Sequence, residues 1–106
     1  LEILDLKGTH ITDAGLVDVG RLTGLKGLYL TRTGITDAGL EHLRNLSGLE
    51  TLILWDTAIG DAGLEHLESL QHLKEVILWN TRVTRQGAEA LRTALPDCDV
   101  STTMFE

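Results

Sequence analysis

Hydrophobic positions recur along this chain with a period of 24 residues, four times over. Leu1, Leu25, Leu49 and Leu73 open four copies of the pattern L-x-x-(L/V)-x-L-x-x-T-x-(I/V). In the second copy, Leu28 and Leu30 alternate with Gly27, Tyr29 and Thr31, the period of two expected of a strand with one buried face. Leu25 and Ile35 flank this strand and should also point inward. Leu40, Leu43 and Leu46 then follow at a helical spacing. Each copy therefore predicts a short strand, a turn, a helix and a return. The helices are expected over 12–22, 36–46, 60–70 and 85–95, with five parallel strands. A fixed period of this length marks a stacked array, in which one repeat cannot bury its hydrophobic face alone. The fold class is an α/β solenoid. A single domain over 1–106 is expected, with repeats 1–24, 25–48, 49–72 and 73–96 and a C-terminal strand in 97–106.

The helix starts carry their own signals. Thr36 is a candidate N-cap, and Asp37 stands in the first turn, where negative charge meets the helix dipole. Ile35 and Leu40 fall at the spacing of a hydrophobic staple. Thr12 and Leu16 repeat the arrangement, Gly60 replaces the threonine in the third copy, and Arg85 replaces the aspartate in the fourth. Two further columns predict structural roles. Thr9, Thr33, Thr57 and Thr81 place a hydroxyl in the turn leaving each strand, where it can satisfy backbone groups. Gly15, Gly39, Gly63 and Gly87 sit inside the helices, where glycine costs about 0.5–1 kcal/mol against alanine. That cost in every copy predicts close approach between neighbouring helices.

The run T-x-I-T-D-A-G-L-x-x-L, present as Thr9 to Val19 and Thr33 to Leu43, resembles bacterial leucine-rich-repeat proteins with 24-residue repeats. It is similar to the cysteine-containing repeats of F-box substrate receptors and, more distantly, to ribonuclease inhibitor. The resemblance covers residues 1–96, and the segment Ala94 to Val100 looks like the end of such an array. It implies a right-handed horseshoe segment with parallel strands on the concave side and helices on the convex side. It also implies protein–protein binding and no shared catalytic residue. In that repeat class the threonine column usually carries asparagine or cysteine. No F-box precedes the repeats, so adaptor function does not carry over.

Size and charge narrow the picture further. The hydrophobic fraction is 42%, and no apolar run reaches the roughly 18 residues of a membrane span. The net charge of −7 lacks the basic footprint of a nucleic-acid or anionic-membrane binder. The single cysteine, Cys98, excludes an internal disulfide and fits a reducing compartment, so a cytoplasmic location is favoured. The chain opens mid-pattern without methionine or signal peptide, and is expected to be the C-terminal part of a longer protein or a processed piece. Leu1, Leu4, Leu6 and Leu16 then belong to a core edge without a preceding repeat. The first strand is an edge that can template pairing, so self-association through it is a further expectation.

Outward strand positions should line the concave face. One column is Asp5, Tyr29, Ile53 and Ile77, the next Lys7, Thr31, Trp55 and Trp79, and a third Ile3, Gly27, Thr51 and Glu75. Strands lie about 4.8 Å apart, so Trp55 and Trp79 come within aromatic contact range. Tyr29, Ile53, Trp55, Ile77 and Trp79 form the candidate partner-binding patch, with Arg32, Asp56, Asn80 and Arg82 as a polar rim in the turns. A patch that only supports its own sheet is the competing reading, since cross-strand pairs stabilise their neighbours by about 0.2–1 kcal/mol. Glu2, Lys26, Glu50 and Lys74 form a column of alternating sign that supports register.

Catalysis and metal binding find little support. His42 and His66 share a helix position in successive copies, but helices pack about 8–10 Å apart, too far for two nitrogens on one ion without both side chains leaning together. His10 and His72 have no partner at motif spacing. Cys98 lies where a core residue belongs, without a Cys–His context. No phosphate loop, H-E-x-x-H or G-x-S-x-G segment is present. The sequence predicts a non-enzymatic scaffold without metal or cofactor that binds a protein or peptide on its concave face. The alternatives are a structural or self-assembling segment, and a substrate-receptor module of a larger protein.

Overall fold

In the computed structural model, which describes residues 2–103, the chain winds through alternating strands and helices. The strands are β1 (Ile3–Asp5), β2 (Gly27–Tyr29), β3 (Thr51–Ile53), β4 (Glu75–Ile77) and β5 (Asp99–Ser101). They form one sheet in sequence order, and every pair is parallel. The register advances by 24 residues at every step from β1 to β5, so Leu4, Leu28, Leu52, Val76 and Val100 stand in line. Backbone bonding continues past the strands, as in Leu30 N–H to Ile53 O at 2.9 Å and Arg32 N–H to Trp55 O at 2.9 Å. Leu1, which the pattern assigns to the core edge, and residues 104–106 of the expected C-terminal segment lie outside the described residues.

The alternation predicts the core correctly. Leu25, Leu28, Leu30, Ile35, Leu40, Leu43 and Leu46 of the second copy are all fully buried. Their counterparts Leu49, Leu52, Leu54 and Ile59 are buried as completely. At the β1 end Leu4 and Leu6 are only half-buried, but Leu16 is sealed and does not belong to an open edge.

The helices differ from expectation. α1 (Asp13–Val19) and α4 (Arg85–Ala94) are α-helical, but α2 (Asp37–Leu40) and α3 (Asp61–Leu64) are single α-turns, each tightening into a 3₁₀ turn, Glu41–Leu43 and Glu65–Leu67. The predicted spans 36–46 and 60–70 are therefore too long, and so is 12–22, because α1 ends at Val19. A spacing of three, as in Leu40, Leu43 and Leu46, suits a 3₁₀ turn as well as an α-helix, and the pattern cannot separate them.

The caps also work differently. Thr36 does not cap its own helix through its side chain. Its N–H donates instead to Asp13 Oδ1 of the preceding copy at 2.7 Å, and its hydroxyl donates to Asp13 Oδ2 at 2.5 Å. Gly60 N–H donates to Asp37 Oδ1 at 2.6 Å, and Thr84 N–H to Asp61 Oδ1 at 2.8 Å. The aspartate column thus bonds each repeat to the next, in addition to its place in the first helical turn. The ladder ends where Arg85 takes the aspartate's position, and there Thr84 Oγ1 accepts from Gly87 N–H at 3.2 Å. The same carboxylates explain three of the four helical glycines, while a Cβ on Gly15 would meet Ile11 of its own copy. A Cβ on Gly39, Gly63 or Gly87 would run into Asp13, Asp37 or Asp61 respectively.

Candidate functional site

The outer face of the sheet collects the chain's two tryptophans and its tyrosine. Tyr29, Ile53 and Ile77 are neighbours in register across β2, β3 and β4. One pleat further along, Trp55 and Trp79 lie side by side with ring centroids 5.3 Å apart and planes at 74°, an edge-to-face pair. The expected contact forms, with one ring turned rather than stacked flat, which suits the opposed quadrupoles of ring face and edge. Trp79 Nε1–H donates to Ser101 Oγ at 2.8 Å, tying the pair to β5. These side chains are half-buried rather than fully open, because each covers part of its neighbour. Thr31, in the same column, is covered to 4% exposure.

The turns beyond the tryptophans hold a feature that the sequence pattern did not disclose. Arg32, Asp56 and Asn80 occupy the same repeat position and all have left-handed backbone, with φ of 56°, 59° and 51°. Gly8 fills the position in the first copy with φ 70°. Asparagine and aspartate visit this region at modest cost, whereas arginine rarely does. The residues Gly, Arg, Asp and Asn at one repeat position carried a signal, since three of the four favour such turns. The side chains bond to one another: Arg32 Nε to Asp56 Oδ2 at 3.4 Å, and Asn80 Nδ2 to Asp56 Oδ1. A shallow groove beside them is lined by Asp56, Thr57, Ala58, Asn80, Thr81 and Arg82.

Behind this rim the threonine column does what its position predicts. Thr9, Thr33, Thr57 and Thr81 donate to the carbonyls of Leu6, Leu30, Leu54 and Leu78 at 2.7, 2.8, 2.7 and 2.8 Å. The turns are therefore braced from inside. At the other end of the strands, Lys26 pairs with Glu2 at 4.0 Å and Lys74 with Glu50 at 3.6 Å. Such exposed pairs contribute about 0–1 kcal/mol each, enough to favour register but not to hold the fold.

The titratable groups that depart from ordinary behaviour have structural causes. The Asp61 carboxyl is held below its usual range by accepting from the Thr84 hydroxyl and then from the Thr84 N–H. The Cys98 thiol is buried and pushed up to about 11 by desolvation, with Asp99 and Glu75 adding repulsion of the thiolate. A thiol held protonated is a poor nucleophile. His42 and His66 stand one repeat apart, and among the described residues no three histidine, cysteine or acidic side chains gather as a metal would need. No helix among the described residues is long and apolar enough to cross a membrane.

The comparisons agree with this architecture. A family model described as leucine rich repeat matches residues 1–20. No curated protein sequence matches the chain. Among solved structures, the fold is similar to that of a leucine-rich-repeat protein of Leptospira interrogans, with a TM-score of 0.73 and 21% identity over 95% of this chain. It is also similar to an internalin of Listeria monocytogenes, with a TM-score of 0.59 and 20% identity over 95% of this chain. The chain spans 25% of the length of the first and 34% of the second. Residues 1–20 match a leucine rich repeat, and the sheet and the structural neighbours show an α/β solenoid fold of the leucine-rich-repeat kind.

Proposed function

We propose that the chain is a binding scaffold that holds a protein or peptide on the outer face of its sheet, the concave side of an array of this kind. The contact residues are Tyr29, Ile53, Trp55, Ile77 and Trp79, with Arg32, Asp56 and Asn80 at the rim. The observation that carries this reading is the Trp55–Trp79 pair at 5.3 Å, which sits on the face of the sheet opposite the sealed leucine core. Tryptophan and tyrosine supply large, stiff contact areas and dominate the energetics of many interfaces. The braced turns and the Arg32–Asp56–Asn80 network support the rest of the reading, because they hold polar groups in fixed positions beside the apolar rows. Nothing in the reading calls for a cofactor, a metal or catalysis.

Replacing Trp55 and Trp79 together with alanine should abolish capture of the partner while circular dichroism stays unchanged. Each anchor is expected to contribute about 2 kcal/mol or more, roughly 30-fold in affinity. Leu54→Ala is the control, since Leu54 is fully buried and its truncation should cost about 2–5 kcal/mol of stability. A tryptophan double variant that unfolds, or one that retains the partner, would make the pair a structural support of its own sheet.

A second reading is association of two copies through β1. It rests on Ile3, which is 54% exposed on a strand at the sheet edge among the described residues. Sedimentation of the 106-residue chain tests it: a concentration-independent monomer removes this reading.

A further inference from the structure

The carboxylates on the same face give the partner a chemistry. Glu75 and Asp99 are direct neighbours in register on β4 and β5, and both are exposed. They point to the same side of the sheet as Ile77, because residues two apart along a strand share a face. Two like charges opposite each other destabilise a sheet. The adjoining column avoids that cost by alternating Glu2, Lys26, Glu50 and Lys74. The 75 and 99 positions do not. The ion pairs seen among the described residues include neither Glu75 nor Asp99. Lys74 is engaged by Glu50. Arg92 lies near β5, and its partners include Glu89 and the Val100 carbonyl.

We propose that the segment bound on this face is basic, and that Glu75 and Asp99 receive its lysine or arginine while neighbouring apolar side chains cover Ile53, Ile77 and the tryptophan pair. This rests on the reading of the face as a binding surface. The geometry sets the pattern of the ligand. Residues two apart on a strand are separated by about 6.6 Å, so the carboxylates, the isoleucine row and the tryptophan row follow at that interval. An extended segment meets them with a cation at one position and apolar or aromatic side chains two and four positions away. A second cation over the tryptophans gains from the ring quadrupole. The chain's net charge of −7 attracts such a segment from a distance.

The test is selection of a random twelve-residue peptide library, displayed on phage, against the 106-residue chain. The consensus peptide is then titrated by calorimetry into the wild type, the E75Q/D99N variant and the W55A/W79A variant, each checked for folding by circular dichroism. The expected consensus carries lysine or arginine within four positions of apolar or aromatic residues. E75Q/D99N should weaken binding about tenfold in low salt. The difference should shrink at about 1 M salt, where screening acts within about 3 Å. A consensus without cations, or wild-type affinity in E75Q/D99N at low salt, overturns the basic ligand. If W55A/W79A still loses binding in that case, the face remains a binding surface for a different ligand. If neither variant changes affinity, or if no peptide is selected, both readings fall.

Discussion

Gly63 shows how much one atom decides in this fold. An added Cβ would stand 2.5 Å from Asp37 Oδ1 and 3.1 Å from Leu40 Cδ1. The carboxylate cannot retreat freely, because it accepts from Gly60 N–H at 2.6 Å. Helix propensity alone favours alanine over glycine by about 1 kcal/mol. Overpacking at a closed contact costs about 1–3 kcal/mol and also breaks the inter-repeat bond. Gly63→Ala is therefore expected to destabilise, with a lower urea midpoint at unchanged slope. A higher midpoint would mean that the aspartate ladder is free to shift. The recurrence of glycine inside the helices was legible as close approach between repeats. That the approaching group is a carboxylate was not, because the aspartate lies 26 residues earlier in sequence and meets the glycine only after the array stacks.

The starts of α2, α3 and α4 are each bonded by an aspartate of the preceding copy, and only α4 also has a side-chain cap of its own. Asp61 accepts from both the N–H and the hydroxyl of Thr84, at 2.8 and 2.5 Å, and so anchors the start of α4. Its pKa is lowered in the fold, so the sign of the pH effect follows by linkage. The bonds stabilise above the ordinary carboxylate range, and that contribution is lost as pH falls below about 4 and through the depressed folded value. Asp61→Ala should destabilise α4 by about 1 kcal/mol at neutral pH, the size of a lost cap. It should also flatten the acid limb of the stability profile. An unchanged acid limb would place the acid sensitivity elsewhere. Threonine followed by aspartate was legible as a helix start. The direction of the bond, from one repeat to the next, was not, because a local capping motif and a stacked one use the same residues. The length of α2 and α3 was lost for a related reason, since leucines three apart fit either helical geometry.

At the scale of the whole array, stability should be graded along the solenoid. A repeat array is held by contacts between neighbours, so a unit with one partner opens more readily than a unit with two. Leu4 and Leu6 are half-buried, whereas Leu28, Leu30, Leu52 and Leu54 are sealed. Hydrogen exchange in the 106-residue chain is expected to be faster for the amides of Leu6 and Gly8 than for their bonded counterparts Leu30, Arg32, Leu54 and Asp56 in the inner copies. Uniform protection across all copies would mean that the array opens as one unit.

The repeat, the parallel strand order, the identity of the core and the side chains that share the outer face were all legible in the amino-acid pattern. These follow from period and alternation, and both survive any small error in where an element starts. The meeting of Trp55 with Trp79 was legible too, because a strict 24-residue register leaves equivalent positions one strand apart. The edge-to-face angle of those rings, the half-buried state of the patch and the pairing of Arg32, Asp56 and Asn80 in left-handed turns emerge only once the repeats stack. The same holds for the aspartates, which bond forward into the next repeat. The division has one physical cause. Burial is set by a pattern that each repeat carries within itself, whereas directional contacts depend on where the next repeat's atoms come to lie.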